Sequence, residues 1–147
     1  DVLGLNYYTR DMVRADLGSA SLSQLTYRKG RAVSDLGWDL YPDGLYSFLT
    51  RFSAYGWPIV ITENGLADRS GKLRTPFLIQ HLTAIERAIR DGADVRGYAH
   101  WSLMDNFEWA EGYDAQFGLF TIEKTTLRRV PTESVQPFRA IGANIPR

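Results

Sequence analysis

A glutamate stands at the end of an apolar, β-branched segment in the sequence IVITENG, residues 59–65. Such a segment is typical of a buried strand, and Glu63, Asn64 and Gly65 end it with a carboxylate, an amide and a glycine. A carboxylate at that position can take part in acid–base or nucleophilic chemistry. It can equally cap the next segment or pair with an arginine, and the residues alone leave both interpretations open. Asn64-Gly65 is also a hairpin turn signal, but residues 66–71 lack the alternation of a returning strand.

Two other strand-like segments end in side chains of the same kind. Asn6, Tyr7 and Tyr8 follow an apolar run near the start of the chain, and Trp101 follows residues 95–100. Three segments thus deliver polar or aromatic groups at one end. Because the carboxyl ends of parallel strands meet at one edge of a sheet, these residues predict a single site.

The aromatic content of 13%, with four tryptophans, fits either a large core or a sugar-binding cleft. Trp101 and Trp109 can therefore be core residues or ligand platforms. His100, Ser102 and Asp105 lie close in sequence and have the composition of a hydrolase triad. Strand alternation places His100 and Trp101 on opposite faces, however, and the G-x-S-x-G elbow is absent. We therefore exclude a triad.

Strands and helices must position these candidate site residues. The predicted elements are strands at residues 2–8, 57–62 and 95–101, helices at residues 42–55, from Thr75 to Gly92 and from about Thr132, and a hairpin of residues 117–122 and 126–130. Residues 9–41 are predicted to form a loop, with flexible segments at 18–21 and 29–31. Gly56 is a predicted helix stop. Pro137 is compatible with the last helix only in its first turn.

The second helix has the clearest pattern. Thr75 is the expected N-cap, with Pro76 at the first helical position. His81 is expected to be a surface group. The apolar stripe of this helix is expected at Leu78, Leu82, Ile85 and Ile89.

Three strand–helix repeats of this length predict an α/β protein with a parallel sheet covered on both faces. Two architectures satisfy that pattern, an open doubly wound sheet and a (β/α)8 barrel. Both collect functional groups at the carboxyl ends of their strands.

Composition excludes several classes of protein. The chain has 147 residues with 17 basic and 17 acidic side chains, so neither nucleic acid nor an anionic membrane surface is an expected partner. It has no cysteine and two histidines, and no phosphate-binding glycine motif, so we expect no metal and no cofactor. The absence of cysteine fits a cytoplasmic protein. No apolar run reaches the ~18–20 residues of a membrane span.

Five segments of the chain resemble the motifs of a known protein family. The segments GLNYYT (4–9), GWDLYPDGL (37–45), ITENG (61–65), GADVRGY (92–98) and HWSLMDNFEWAEGY (100–113) occur in the order found in family 1 of the glycoside hydrolases. The chain resembles these β-glucosidases and β-galactosidases over essentially its whole length. The resemblance implies a (β/α)8 TIM barrel, of which residues 1–147 are the sixth, seventh and eighth β/α units.

The same resemblance implies the role of the glutamate. Glu63 would be the nucleophile of a retaining mechanism, forming a covalent glycosyl-enzyme that water hydrolyses. Tyr8 would donate a hydrogen bond to the nucleophile, and Asn6 would lie beside it.

Four further residues would bind the sugar by resemblance. Trp101 would be the platform beneath the ring, because an indole offers a flat apolar face and one N–H donor. Glu108 would accept hydrogen bonds from two hydroxyls, Trp109 would add a donor and Phe117 would form a wall. A carboxylate at Glu108 would repel a phosphate, so the expected substrate is an unphosphorylated β-glycoside.

One part of the family pattern is missing. The acid/base glutamate of the family belongs to an Asn-Glu-Pro motif, which this sequence lacks. We therefore expect a C-terminal fragment that is inactive alone, and that pairs with a complementary N-terminal barrel fragment or self-associates to cover its open strand edges. A non-catalytic carbohydrate-binding module and an inert folding fragment are the alternative interpretations.

Overall fold

A computed structural model describes residues 1–26 and 30–143. In chain order the elements are β1 (Leu3–Asn6), β2 (Met12–Ala15), β3 (Ser23–Thr26), α1 (Pro42–Ser53), β4 (Ile59–Asn64), α2 (Arg74–Arg90), β5 (Val95–His100), β6 (Phe120–Ile122), β7 (Arg129–Pro131) and α3 (Val135–Ala143). A short 3-10 helix, Trp109–Glu111, follows β5.

The predicted parallel sheet is confirmed. Its strand order is β1-β4-β5, and both pairings are parallel. Helices α1 and α2 pack against each other and against one face of the sheet. Their shared core is formed by side chains that are at most 6% exposed, namely Leu45, Leu49, Ile59, Ile61, Ile85 and Ala88.

The opposite face of the sheet is not covered within the described residues. Gly4, Asn6, Thr62 and Ala99 are exposed there, which contradicts the expectation of two covered faces. The exposed side chains of this face are small, and near the strand ends the Thr62 hydroxyl donates a hydrogen bond to Asn6 Oδ1 at 2.6 Å. A β-carbon placed on Gly4 would lie 3.4 Å from the Thr62 methyl group.

The predicted ends of the first two helices are confirmed, but Thr75 is not the N-cap of α2. Gly56 and Gly92 follow α1 and α2 with φ of 72° and 99°, a region that favours glycine. Helix α2 begins at Arg74, one residue before Thr75. The Asp68 carboxylate accepts hydrogen bonds from the backbone N–H groups of Leu73 and Arg74, at 2.8 and 2.9 Å. Asp68 precedes these two residues by five and six positions. The cap is therefore a distant carboxylate rather than a local hydroxyl.

The buried face of α2 differs from the predicted stripe. Leu78 and Ile85 are buried, whereas Ile89 is 47% exposed. His81, expected at the surface, is 0% exposed and is wrongly predicted. Its ring stacks on Phe77 with centroids 3.8 Å apart, and Nδ1–H donates to the Phe77 carbonyl at 2.9 Å. His81 is therefore buried as an aromatic group with one ring nitrogen bonded by its own helix, while Nε2 has no hydrogen-bond partner among the described residues.

Burial of His81 gives the stability a pH dependence. Burial lowers the pKa of His81 to about 4, against the opposing hydrogen bond to Phe77. The unfolded chain therefore binds a proton on this ring at higher pH than the folded chain does. We expect the stability from neutral His81 to be fully present above about pH 6.5 and to be lost between there and pH 4, by up to ~3 kcal/mol.

Urea titrations of the folded protein and of His81→Leu at pH 7 and pH 4.5 measure this effect. The variant should lose less stability than the parent on acidification. Burial also lowers the pKa of His100 to about 4. His100 therefore accounts for the loss of stability on acidification that remains in the variant. An equal loss in both proteins would show that His81 does not carry the effect.

The stretch predicted as a loop contains a hairpin. Strands β2 and β3 pair antiparallel from Met12 with Thr26 to Ala15 with Ser23. The flexible segment 18–21 is its turn, where Ser19 bonds the Ser23 backbone. Lys29, in the other flexible segment, lies outside the described residues.

The C-terminal hairpin and helix are confirmed, with each element starting about three residues later than predicted. Strands β6 and β7 form the second hairpin, and Pro137 lies in the first turn of α3. Among the helices described, none has the length and apolar character that crossing a bilayer requires.

Candidate active site

The three strand ends converge as the sequence predicts. Asn6 at the end of β1 pairs with Glu63 near the end of β4, and Asn64 pairs with His100 at the end of β5. Tyr8 lies two residues beyond β1, and its hydroxyl donates a hydrogen bond to Glu63 Oε2 at 2.7 Å. Residues 55 positions apart in the chain are thus in direct contact.

The Tyr8 hydroxyl is held in its protonated form. Burial, followed by the hydrogen bond to Glu63 and the charge of Glu63, raises the pKa of Tyr8 well above its ordinary value of 10. Tyr8 is therefore a donor to the carboxylate throughout the physiological pH range.

A second polar contact joins two more of the predicted residues. Trp101 follows β5 directly, and its indole Nε1–H donates to Glu108 Oε1 at 3.0 Å. Trp109 does not join this contact: its side chain is 84% exposed at the start of the 3-10 helix.

An aromatic wall stands beside Tyr8. Its ring packs edge-on against Trp38 and Phe117, with centroids 5.6 and 6.1 Å away. Phe117 is 2% exposed. Trp38 was not predicted as a site residue, although its segment GWDLYPDGL was among the family-like motifs, which was the available signal.

A cavity of about 500 Å³ opens along this wall. It contains three of the predicted residues and is lined by Asp35, Leu36, Trp38, Glu108, Trp109, Ala110, Glu111 and Phe117. Asn6, Tyr8, Glu63 and Trp101 are not part of its lining. A second cavity, of about 460 Å³, lies beside the β2–β3 hairpin and shares Leu36 and Trp38 with the first.

Gly65 brings the Glu63 segment against β5. A β-carbon on Gly65 would lie 1.8 Å from the carbonyl oxygen of Trp101, which no packing adjustment of a side chain can relieve. The glycine is therefore required for the approach of the two strand ends.

Two buried residues of opposite charge hold the loop that follows Glu63. Asp68 and Arg74 are 3% and 1% exposed. Arg74 Nη2 donates to the carbonyls of Asp68 and Gln116 at 2.9 and 2.7 Å, which ties this loop to the segment that carries Phe117. Burial acts to raise the pKa of Asp68, but hydrogen bonds from Ser70, Leu73 and Arg74 lower it overall. Neither Asp68 nor Arg74 belongs to a motif identified in the sequence, so their role was not predicted.

The excluded triad is not assembled. The Ser102 hydroxyl donates to the carbonyl of Met104 at 2.8 Å and accepts from Asn106 Nδ2 at 3.2 Å. His100 is directed instead toward Phe138, with ring centroids 6.0 Å apart.

The sequence profile of glycosyl hydrolase family 1 matches residues 1–144. The chain belongs to glycosyl hydrolase family 1. Among family 1 relatives, it is 40% identical to a β-galactosidase of Pyrococcus woesei, over 98% of this chain and 32% of that protein. It is 37% identical to a bifunctional β-D-glucosidase/β-D-fucosidase of Bifidobacterium breve, over 98% of this chain and 37% of that protein.

Solved family 1 structures have the same fold. A β-glucosidase from Thermotoga maritima in complex with azafagomine matches with a TM-score of 0.92 and 32% identity, over 98% of this chain and 35% of that chain. The fold class is therefore the (β/α)8 barrel, of which this chain supplies about three β/α units. The chain spans about a third of the length of the relatives it matches.

Proposed function

We propose that this chain carries the nucleophile of a retaining β-glycosidase that hydrolyses terminal, unphosphorylated β-glycosides. The observation that carries the proposal is the 2.7 Å hydrogen bond from Tyr8 to Glu63 at the meeting point of the three strand ends. Membership of family 1 supports the reaction class.

The contact suits a carboxylate nucleophile. Within the described residues, Tyr8 is the donor to the Glu63 side chain and it occupies Oε2. Oε1 is then the oxygen that forms the bond to the anomeric carbon as the glycosidic bond breaks. Water attacks the same carbon in the second step, so Glu63 leaves with its electron pair and the configuration is retained.

The neighbouring residues suit a sugar. The indole face of Trp101 would stack on the ring, and its N–H orients Glu108 through the 3.0 Å contact. Glu108 would accept hydrogen bonds from two sugar hydroxyls. Trp109 would add an N–H donor to the same sugar from its exposed position, with Phe117 as a wall and Asn6 beside the nucleophile.

We further propose that residues 1–147 form part of one barrel domain, as its sixth to eighth units, and that another segment supplies the acid/base. A retaining enzyme needs two carboxyl groups about 5 Å apart, and the family's Asn-Glu-Pro motif is absent from this sequence. The uncovered sheet face supports a complementary barrel segment as the partner. Without that partner, we expect self-association and no hydrolysis.

Mixing tests the proposal. A segment carrying the first five β/α units of the Pyrococcus woesei relative is combined with this chain; the product is called the completed barrel below. We expect it to hydrolyse a chromogenic β-glucoside, whereas each part alone does not. Sugar binding without hydrolysis would favour a binding module, and neither activity would favour an inert fragment; both results would contradict the proposal.

A further inference from the structure

Asn64 follows Glu63 directly and is bonded to both neighbouring strands. It is 0% exposed. Its side-chain Nδ2–H donates to the carbonyl of Tyr7 at 2.7 Å, and its Oδ1 accepts from the Tyr98 hydroxyl at 3.0 Å. Its backbone carbonyl accepts the N–H of Trp101 at 2.9 Å. A buried amide with both ends bonded has one orientation in its site.

The bond to Tyr7 fixes the residue that touches the nucleophile. The Tyr7 carbonyl belongs to the peptide group that leads into Tyr8. The N–H of Tyr7 is bonded in turn to the backbone carbonyl of Glu63 at 2.9 Å. Tyr7 is therefore held on both sides by Glu63 and Asn64, and this places the Tyr8 hydroxyl on Glu63 Oε2.

The bonds to β5 fix the sugar platform in the same way. Trp101 N–H and the Tyr98 hydroxyl both point at Asn64. Burial raises the pKa of Tyr98 well above its ordinary value, so this hydroxyl stays a donor. The Asn64 side chain thus links the Tyr7 carbonyl to Tyr98 on β5, while the Asn64 backbone carbonyl holds Trp101.

We propose that Asn64 is a positioning residue that holds Glu63, Tyr8 and Trp101 in their reactive arrangement. The inference rests on the proposed glycosidase function. An amide is suited to this place because it donates to Tyr7 and accepts from Tyr98 at once. An aspartate can do both only while it is protonated, and an alanine can do neither.

The test uses Asn64→Ala, Asn64→Asp and Tyr98→Phe in the completed barrel, with kcat and KM measured from pH 4.5 to 8. Because misplacement of reacting groups by about 1 Å costs about 10²-fold in rate, we expect Asn64→Ala to lower kcat by about 10²-fold. KM should change by less than about threefold, since the lost interaction acts on the reacting groups rather than on ground-state binding.

The pH profile separates positioning from a purely structural role. The ratio of Asn64→Asp to parent activity should rise toward acid, because the protonated carboxyl regains the donor to Tyr7. Tyr98→Phe removes the donor to Oδ1 but keeps the bond from Nδ2 to Tyr7, so its kcat should fall by less than that of Asn64→Ala. If Asn64→Ala does not fold, the other two variants carry the test.

Glu63→Gln is measured beside these variants. If it retains full turnover, the proposed function fails, and this inference with it. If Glu63→Gln is inactive but Asn64→Ala keeps the parent kcat, or the Asn64→Asp ratio is flat with pH, only the positioning role of Asn64 is overturned. Lower melting temperatures with unchanged kcat in the variants would likewise overturn it.

Discussion

Replacing Glu63 with glutamine will lower kcat of the completed barrel by at least about 10³-fold, the scale on which loss of a nucleophile acts. The amide has the shape of the carboxylate but is too weak a nucleophile to bond to the anomeric carbon. The fold should be unaffected, because position 63 is only partly buried and the amide oxygen of the glutamine can still accept the hydrogen bond from Tyr8. Turnover of a chromogenic β-glucoside and the thermal transition measure both parts of this expectation.

Glu86→Gln is the matched control for that change. Glu86 is exposed on α2, so the same chemical replacement should leave both kcat and the melting temperature at the parent values. A Glu63→Gln barrel with kcat within about tenfold of the parent would remove Glu63 from the chemical step.

Gly65→Ala should be strongly disruptive, because among the glycines Gly65 would bring a β-carbon nearest to another atom. The new methyl group would lie 1.8 Å from the Trp101 carbonyl oxygen and 2.9 Å from its carbonyl carbon, both of them backbone atoms. The strand ends must separate, at a cost of about 1–3 kcal/mol or more. Because Glu63 and Trp101 lie on the two sides of this contact, kcat should fall by about 10²-fold as well.

Gly142→Ala is the control that shows whether the effect of Gly65→Ala comes from its contact with the Trp101 carbonyl. Gly142 lies in α3, and a β-carbon there meets no atom within 4 Å. Alanine in a helix should be neutral or stabilise the protein by up to ~1 kcal/mol. The urea midpoint and kcat are measured for both variants. A Gly65→Ala protein as stable and active as Gly142→Ala would contradict the close approach of Gly65 to the Trp101 carbonyl.

The sequence was sufficient to predict the parallel strands and two of their helices. Residues 59–62 are apolar and β-branched, and helix α1 repeats its apolar residues at the helical period, so local pattern and tertiary packing agree. The hairpin of β2 and β3 was missed because MVRA and SQLT are short and show little alternation. His81 was misplaced because its burial comes from packing against another part of the chain, where the Tyr7 ring lies 6.0 Å from its own. Thr75 was misplaced because the Asp68 carboxylate, upstream of the helix, takes the place of a local hydroxyl cap.

The candidate site was predicted in outline only. The motifs placed Glu63 and Tyr8 at strand ends, and the structure brings them into contact. The residues that hold them were not found, because their partners are remote in sequence. Asn64 bonds a carbonyl 57 residues away, and Arg74 bonds one 42 residues away. An amide next to a glycine is also a turn signal, and nothing in that pair of residues indicates that the Asn64 side chain is buried between two strands.

The most direct test of the account is a covalent trap. The completed barrel is treated with a 2-deoxy-2-fluoro-β-glucoside that has a good leaving group, digested with trypsin and mapped by mass spectrometry. Cleavage after Arg51 and Arg69 releases residues 52–69, which contain two carboxylates, Glu63 and Asp68. The account predicts the fluorosugar on Glu63 of this peptide; a label on Asp68 or on any residue outside the peptide would contradict it.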